Sequence, residues 1–237
     1  MTFRWAADVP ASAHVFVADL TDTLTLEGDD AHHLSRVLRL RPGEVVTAAD
    51  GAGRWRPYVL RAGTALEATG EERTEPRLHP GLAVAFALTK GDKPELAVQK
   101  LTELGVDRIL PVLAERSIAR PESARAEAQV QRWRRVAWEA ARQCRRARLP
   151  EVAGVAPLVS LAGHPGLVVA DRDGVAPGAL IVGGDEVLVV VGPEGGLSDA
   201  EVDRLAPVAR LGLGPLILRA ETAAVAAAAV LSVLRGD

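Results

Sequence analysis

Residues 186–202, EVLVVVGPEGGLSDAEV, run from an apolar strand through a glycine-rich loop into the start of a helix. The three consecutive valines are typical of a strand that is buried on both faces of a parallel sheet. The chain leaves this strand at Gly192 and Pro193, and Ser198 followed by Glu201 is the capping-box pattern that begins a helix. The loop is therefore predicted at the carboxyl end of a parallel strand, where open α/β sheets bind their ligands.

The composition of this loop, residues 192–196, argues against a phosphate ligand. A P-loop needs a lysine and a serine or threonine directly after the glycines, and a dinucleotide site needs G-x-G-x-x-G; this chain has neither. Glu194 would also repel a phosphate that is held against the loop. We therefore expect a ligand that is neutral or cationic at this point and is bound by backbone groups. The alternative is a turn that only connects the strand to the helix. A dinucleotide oxidoreductase is disfavoured because the G-x-G-x-x-G pattern is absent.

A second segment, residues 210–231 with the sequence RLGLGPLILRAETAAVAAAAVL, adds to this prediction. It contains a Gly-x-Gly, an apolar strand predicted near residues 215–218, and then Arg219 and Glu221 before an almost wholly apolar helix. A helix without a polar face is expected to be buried all round. Charged groups at the start of such a helix are costly unless they are paired or used. They form either an Arg219–Glu221 ion pair or the charged rim of a ligand site.

The rest of the chain divides into two predicted domains. Residues 1–72 contain short strands and turns, which indicates a small β-barrel, and residues 73–80 form a polar, proline-containing linker. Residues 81–237 alternate strands with helices, including a helix over 93–105 and a long amphipathic helix over 122–146. This alternation predicts an α/β domain with a mainly parallel sheet.

Composition excludes several classes of protein. The 237 residues carry a net charge of -3 and a single cysteine, Cys144, so no internal disulfide can form and a reducing cytosol is expected. No apolar run reaches the roughly 18 residues that a membrane span needs, and the first residues lack the apolar region of a signal peptide. The scattered histidines and the lone cysteine offer no metal-ligand spacing, so we predict no metal and no membrane partner.

Five collinear stretches resemble the signatures of the RsmE family, the bacterial uridine-N3 methyltransferases of small-subunit ribosomal RNA in the SPOUT (trefoil-knot) superfamily. GPEGGLSDAEV and LGLGPLILRAETA resemble its two C-terminal signatures. The other three matches are HLSRVLRLRPGE (33–44), LTKGDKPELAVQKLTELGVDRILPVLAERS (88–117) and WEAARQCRRARLP (138–150). The last match departs from the family pattern, because it is richer in arginine and has Cys144 where a hydroxyl residue is expected.

The resemblance implies a specific fold, cofactor and substrate. The fold would be α/β, with a SPOUT-type trefoil-knotted parallel-sheet domain preceded by a PUA-like β-barrel that binds RNA. The cofactor would be S-adenosyl-L-methionine (SAM), and the working unit would be a cytoplasmic homodimer. The reaction would methylate N3 of a uridine in small-subunit (16S) ribosomal RNA. The size of the family's substrate favours the assembled subunit over free RNA.

The resemblance also assigns the site residues. The adenosyl part of SAM has no phosphate, so Glu194 is tolerable in the loop, and a first cofactor loop is expected within residues 171–184. Arg219 is the candidate for stabilising the anion that develops on uracil, and Glu221 or Glu194 would accept the N3 proton. The catalytic set is therefore Arg219 and Glu221. The predicted cofactor contacts are Gly192, Pro193, Glu194, Gly195, Gly196, Leu211, Gly212, Leu213, Leu218, Arg219, Thr222 and Ala223.

RNA contacts are expected where positive charge clusters, since phosphate binding needs only a local positive potential. Seven arginines lie between positions 132 and 148. The alternative for each arginine is a solvated surface charge, and His33 can equally be a structural histidine. The predicted RNA-binding residues are His33, Arg36, Arg39, Arg116, Arg145 and Arg146.

Two other functions stay open at this point. One is a non-catalytic RNA-binding module that keeps the fold, which the pair of cofactor signatures disfavours. The other is a SPOUT methyltransferase with another RNA target, which the N-terminal match disfavours. Measurement of SAM binding separates the first alternative from the enzyme.

Overall fold

A computed structural model of the protein describes residues 5–89, 91–118, 122–180 and 184–235. The chain divides into two compact units. Unit 1 comprises Met1–Pro76 and Trp138–Leu149, and unit 2 comprises Arg77–Ala137 and Pro150–Asp237.

Unit 1 is built on a mixed six-stranded sheet. The elements are β1 (Ala13–Phe16), β2 (Thr23–Thr25), α1 (Gly28–His32), β3 (Val45–Ala49), β4 (Arg54–Leu60), β5 (Ala65–Ala68) and β6 (Arg73–Thr74). The strands follow the order β1-β3-β4-β5-β2, and β6 pairs with β4. β1 is parallel to β3 and the other pairs are antiparallel. The short helix α1 continues into a π-helical turn over His33–Val37.

β3 and β4 form an antiparallel hairpin. It is the centre of the unit 1 core, because Tyr58 and Val46 pack with Leu34 and Leu66 on one side of the sheet. Trp55, which is fully buried, packs in a second cluster with Ala6, Ala49 and Ala147.

Unit 2 is an α/β structure around a seven-stranded sheet in which every pairing is parallel. The elements are β7 (Gly81–Ala87), α2 (Lys93–Glu103), β8 (Arg108–Leu113), α3 (Ser123–Cys144), β9 (Glu151–Val152), β10 (Ala156–Pro157), β11 (Leu167–Val175), β12 (Glu186–Val191), α4 (Asp199–Leu205), β13 (Ala209–Leu211) and α5 (Ala220–Leu234). From Trp138 onward, α3 belongs to unit 1. The strand order is β10-β8-β7-β12-β11-β13, with β9 paired to β8. This confirms the predicted α/β class with a parallel sheet.

β12 lies inside the sheet between β7 and β11, and both of its faces are buried. Val187, Val189 and Val191 pack into one hydrophobic cluster with residues of α2 and α5. Leu188 and Val190 pack into a separate cluster on the other face. Because burial of each valine or leucine side chain contributes about 1.5–3 kcal/mol, the valine run holds this strand at the centre of the unit.

One prediction for the last part of the chain is wrong. Residues 215–218 form a loop rather than a strand, since the pairing with β11 is made by Ala209–Leu211, and Leu216 and Ile217 are 76% and 86% exposed. Within a single chain, α5 is buried on one face, and its predicted burial all round in a knot and dimer interface stays a prediction. Its inner face packs into the core through residues such as Ala224 and Leu231, whereas Val233 is 81% exposed because none of the described residues covers that side.

The domain boundaries differ from the prediction in two places. β6, which lies in the predicted 73–80 linker, pairs with β4 and so belongs to unit 1. Trp138–Leu149, which was assigned to the C-terminal domain, also belongs to unit 1. The physical reason is hydrogen bonding within that unit: Arg145 donates to the carbonyl oxygen of Val9, and the backbone N–H of Ala147 donates to Glu75.

None of the helices in the described ranges combines the length and the apolar character that a membrane crossing requires.

Candidate cofactor site

A cavity of about 340 Å³ lies in unit 2 at the carboxyl ends of β11 and β12. This is the position at which open parallel sheets bind ligands, and the volume falls in the range of small-molecule sites. Both signature segments contribute to the wall. The wall residues are Val169, Ala170, Asp171, Arg172, Val191, Gly192, Pro193, Gly196, Leu197, Asp199, Val202, Arg210, Leu213, Gly214, Leu216, Ile217, Leu218, Ala220 and Ala223.

The glycine loop, residues 192–196, is a tight turn between β12 and α4. Gly196 has φ +70°, in the left-handed region that favours glycine, and its N–H donates to the carbonyl oxygen of Pro193 at 2.8 Å. The predicted capping box is confirmed: the Ser198 hydroxyl accepts from the N–H of Glu201, and the Glu201 carboxylate accepts from the N–H of Ser198 at 2.9 Å. The loop therefore meets the cavity with a defined backbone conformation.

The structure divides the predicted cofactor residues into two groups. Six of them contribute to the cavity wall: Gly192, Pro193, Gly196, Leu213, Leu218 and Ala223. The other six, Glu194, Gly195, Leu211, Gly212, Arg219 and Thr222, are not among the described residues of that wall. Leu211 is fully buried in the core, and Gly212 lies against the backbone of Gly174.

A bulge in the second half of β11 brings Asp171 and Arg172 into the cavity wall. Ala170 and Val175 both pair with Leu211 of β13, so the residues between them leave the ladder. Asp171 in this bulge accepts a hydrogen bond from Arg210 at 2.9 Å, and both side chains belong to the cavity wall. The first cofactor loop was predicted after Ala170, within residues 171–184, but none of its residues was assigned. The charged residues that directly follow the apolar strand could have indicated Asp171.

A cluster of charges lies beside the cavity, on the glycine loop and the ends of two helices. Lys93 Nζ, in the first turn of α2, donates to Glu194 Oε1 at 2.9 Å and lies 4.0 Å from Glu221 Oε2. This hydrogen bond from Lys93 is the main reason that the pKa of Glu194 is lowered, and the charge of Arg219 lowers it further. In the described part of the chain, the ion-pair partner of Glu221 is therefore Lys93 and not Arg219.

The two carboxylates of this cluster differ in their surroundings. The side chain of Glu221 is only 11% exposed, and its Oε2 atom is buried without a hydrogen-bond donor among the described residues. Glu194 is exposed and is held by Lys93. A buried carboxylate oxygen that accepts no hydrogen bond is costly even with a charge 4.0 Å away, so Glu221 has an acceptor position that a ligand group can satisfy.

Five of the six predicted RNA-binding residues lie in unit 1. Arg36 and Arg39 are exposed, while Arg145 and Arg146 are half-buried. Arg145 has a structural contact, because its guanidinium donates to the carbonyl oxygen of Val9 at 3.1 Å.

The remaining two predicted RNA-binding residues are His33, which lies near a guanidinium, and Arg116, which donates to a backbone carbonyl. His33 is half-buried near the guanidinium of Arg142, and burial and that positive charge lower its pKa. Arg142 itself is paired with Asp30 at 3.2 Å. Arg116, in unit 2, contacts the glycine loop, since its Nη1 donates to the carbonyl oxygen of Gly195 at 2.7 Å.

Comparison with known proteins agrees with this two-part organisation. A family model described as an RNA methyltransferase domain matches residues 77–232. A second model, described as an RNA methyltransferase PUA domain, matches residues 26–70.

Named relatives match along nearly the whole chain. Ribosomal RNA small subunit methyltransferase E from Mycobacterium tuberculosis is 37% identical, with 92% of this chain and 90% of that protein covered. The protein of the same name from Bacillus subtilis is 32% identical, with 91% and 93% covered. A crystal structure of ribosomal RNA small subunit methyltransferase E from Neisseria gonorrhoeae bound to S-adenosyl methionine is 27% identical. It has a TM-score of 0.81 and covers 94% of this chain and 97% of its own.

Proposed function

We propose, because this chain belongs to the ribosomal RNA small subunit methyltransferase E family, that it transfers a methyl group from SAM to N3 of a specific uridine in small-subunit (16S) ribosomal RNA. The observation that carries this proposal is the cavity, whose wall contains residues of both signature segments at the carboxyl end of the parallel sheet. The likeness to a relative crystallised with S-adenosyl methionine supports the choice of cofactor.

The cavity fits SAM in size and in the chemistry of its wall. Apolar residues such as Leu213 and Leu218 suit the adenosyl group, and the carboxylates of Asp171 and Asp199 suit its ammonium and sulfonium charges. The glycine loop offers backbone groups rather than a phosphate cradle. When bound, SAM supplies an electrophilic methyl group, and the enzyme's contribution is to align it with N3 of the uridine.

The surroundings of the two carboxylates support Glu221 as the group that accepts the N3 proton. Glu194 is occupied by Lys93 at 2.9 Å, and its lowered pKa makes it a weaker base. Glu221 Oε2 lies 4.0 Å from Lys93 Nζ but accepts no hydrogen bond from the described residues, so its acceptor position is available for the proton. The exposed guanidinium of Arg219 would stabilise the negative charge that the uracil oxygens then carry.

Unit 1 would hold the RNA. It contains the PUA-domain match and the exposed Arg36 and Arg39, which can neutralise phosphates without reading sequence. A uridine that is stacked in RNA must also be splayed out to present N3. The substrate would be the assembled small subunit, which places the protein in the cytoplasm.

Two further parts of the proposal concern the architecture of unit 2. The exposed apolar residues of α5 and of the preceding loop, among them Val233 and Ile217, support a homodimer, since such side chains gain from a partner surface. We also propose that the segment that carries the two C-terminal signatures forms a trefoil knot.

The test is mass-spectrometric nucleoside mapping of 16S ribosomal RNA from a strain that lacks this protein, with add-back of wild type and variants. We expect loss of one N3-methyluridine, restored by wild type and by Glu103→Gln, a control in which the removed carboxylate pairs with Lys100 of the same helix. Glu221→Gln should slow methylation by about 10²–10⁴-fold while SAM still binds, and Arg219→Ala should also fail to restore it. An unchanged modification profile would reject this substrate, and absence of SAM binding would favour the non-catalytic alternative.

A further inference from the structure

The turn that follows β8, residues 114–117 with the sequence AERS, has a defined conformation. The backbone N–H of Ala114 donates to Ser117 Oγ at 2.9 Å, and the N–H of Ser117 donates to the carbonyl oxygen of Ala114 at 3.1 Å. Ala114 and Ser117 are both buried. The two residues between them, Glu115 and Arg116, are therefore presented from a closed turn rather than from a loose loop.

Arg116 contacts the glycine loop in two ways. Its Nη1 donates to the carbonyl oxygen of Gly195 at 2.7 Å. Its aliphatic stem lies against the same glycine, since a Cβ atom on Gly195 would be 3.5 Å from Arg116 Cδ. Gly195 itself is exposed and has no side chain with which to anchor the loop.

Glu115 holds the other end of the same segment. Its Oε2 accepts from the hydroxyl of Ser198 at 2.8 Å, and its backbone N–H donates to Glu201 Oε1 at 2.6 Å. Ser198 and Glu201 are the two residues of the capping box at the start of α4. The 114–117 turn is thus bonded to the glycine loop on one side and to the helix start on the other.

We propose that Arg116 is a positioning residue of the cofactor site, which holds the glycine loop in its binding conformation, and that it is not an RNA contact. This inference rests on the proposed function in taking SAM as the ligand of the cavity. Gly192, Pro193 and Gly196 of the loop are part of the cavity wall, so a loop released from Arg116 has to be ordered again when the ligand binds. Ordering a segment during binding lowers affinity.

The experiment compares Arg116→Lys and Arg116→Met with wild type in the full chain, with two measurements. Calorimetry gives the Kd for SAM without RNA, and a salt titration of 16S ribosomal RNA binding gives the number of phosphate contacts. Arg132→Met is the matched control, because Arg132 is an exposed arginine of the same unit that pairs with Glu95. Thermal melting confirms that the variants are folded.

We expect both Arg116 variants to raise the Kd for SAM by about tenfold, as for the loss of one hydrogen bond to a charged group. The lysine variant is decisive. It keeps the positive charge, but its nitrogen lies one bond short of the position of Nη1 and cannot replace the bond to Gly195. The salt dependence of RNA binding and the behaviour of Arg132→Met should match wild type.

The opposite pattern would overturn the inference. If Arg116 contacts RNA, Arg116→Met will leave the SAM Kd unchanged and reduce the slope of log K against log salt by about one, and Arg116→Lys will resemble wild type. Equal SAM affinity in wild type and both variants refutes the positioning role alone. Failure of the wild-type protein to bind SAM would instead refute the proposed function.

Discussion

Replacing Gly212 with alanine tests why the second signature has glycine at this position. Gly212 was predicted as a cofactor contact, but it directly follows β13 and lies against the backbone of the bulge in β11. A Cβ atom on Gly212 would be 2.6 Å from the carbonyl oxygen of Gly174 and 3.3 Å from that of Val175. Both neighbours are backbone atoms, so no side-chain rotation can relieve the overlap.

The geometry gives the size of the effect. Ordinary contact of a Cβ atom begins at 3.4 Å, so the carbonyl of Gly174 has to move by about 0.8 Å, the difference from 2.6 Å, or the two segments have to separate. Overpacking of this kind typically costs 1–3 kcal/mol, and we expect about 2 kcal/mol here. The same displacement moves the bulge, including Asp171 in the cavity wall, and should weaken SAM binding.

The assay is urea denaturation of the full chain, followed by calorimetric measurement of the Kd for SAM. Gly178→Ala is the matched control, because a Cβ atom there meets no atom of the described residues within 4 Å and Gly178 does not have a positive φ. We expect it to change the free energy of unfolding by less than about 0.5 kcal/mol. If Gly212→Ala has wild-type stability but weak SAM binding, Gly212 contacts the cofactor directly and the backbone argument is wrong. Wild-type values for both measurements would show that glycine is not needed there.

Two other predictions concern charged groups. Lys93→Met should raise the pKa of Glu194 towards its ordinary value in a carboxyl NMR titration, because the hydrogen bond from Lys93 is what chiefly lowers it; an unchanged pKa would contradict this. In wild type, this interaction stabilises the fold at neutral pH, and the stabilisation is lost as pH falls through the lowered pKa of Glu194. The stability of the variant should not fall with pH for this reason. Glu75→Ala should cost about 2–4 kcal/mol in urea denaturation, since the 2% exposed carboxylate accepts from two buried backbone N–H groups, those of Ala6 and Ala147. Burial raises the pKa of Glu75, so the stability of the wild type should fall as pH rises from the ordinary pKa of a glutamate to the raised one. If Glu75→Ala has the stability and the pH profile of the wild type, both the hydrogen-bond contribution and the pH dependence assigned to Glu75 are refuted.

Elements that carry their own local signal could be predicted from the sequence. The valine run of β12 indicated a strand buried on two faces, and its side chains divide between the two clusters of the core. The capping box at Ser198 began α4 where expected, and Gly105, with φ +78°, follows the end of α2. The apolar residues near 215–218 failed as a strand because a strand also needs a partner. The pairing of β13 with β11 ends at Leu211.

The site was predictable only where the motif itself forms the wall of the cavity. Gly192, Pro193 and Gly196, which the family resemblance implies as cofactor contacts, line the cavity because their loop lies at the carboxyl end of a strand. Their contact with a cofactor stays a prediction. Asp171 was not assigned, because the bulge that moves it out of the ladder is created by the pairing of two residues of β11 with one residue of β13.

The α/β class, the position of the ligand loop and the family could all be read from the chain alone, since each depends on residues that are neighbours along it. Which distant charges meet depends instead on how the strands and helices assemble. Lys93 and Glu194 are 101 residues apart, and Arg116 and Gly195 are 79 apart. Their contacts depend on the order of strands in the sheet, which brings the ends of β8 and β12 and the start of α2 to one edge. The hydrophobic pattern of each strand specifies burial but not its neighbour, so these partners could not be read from the sequence.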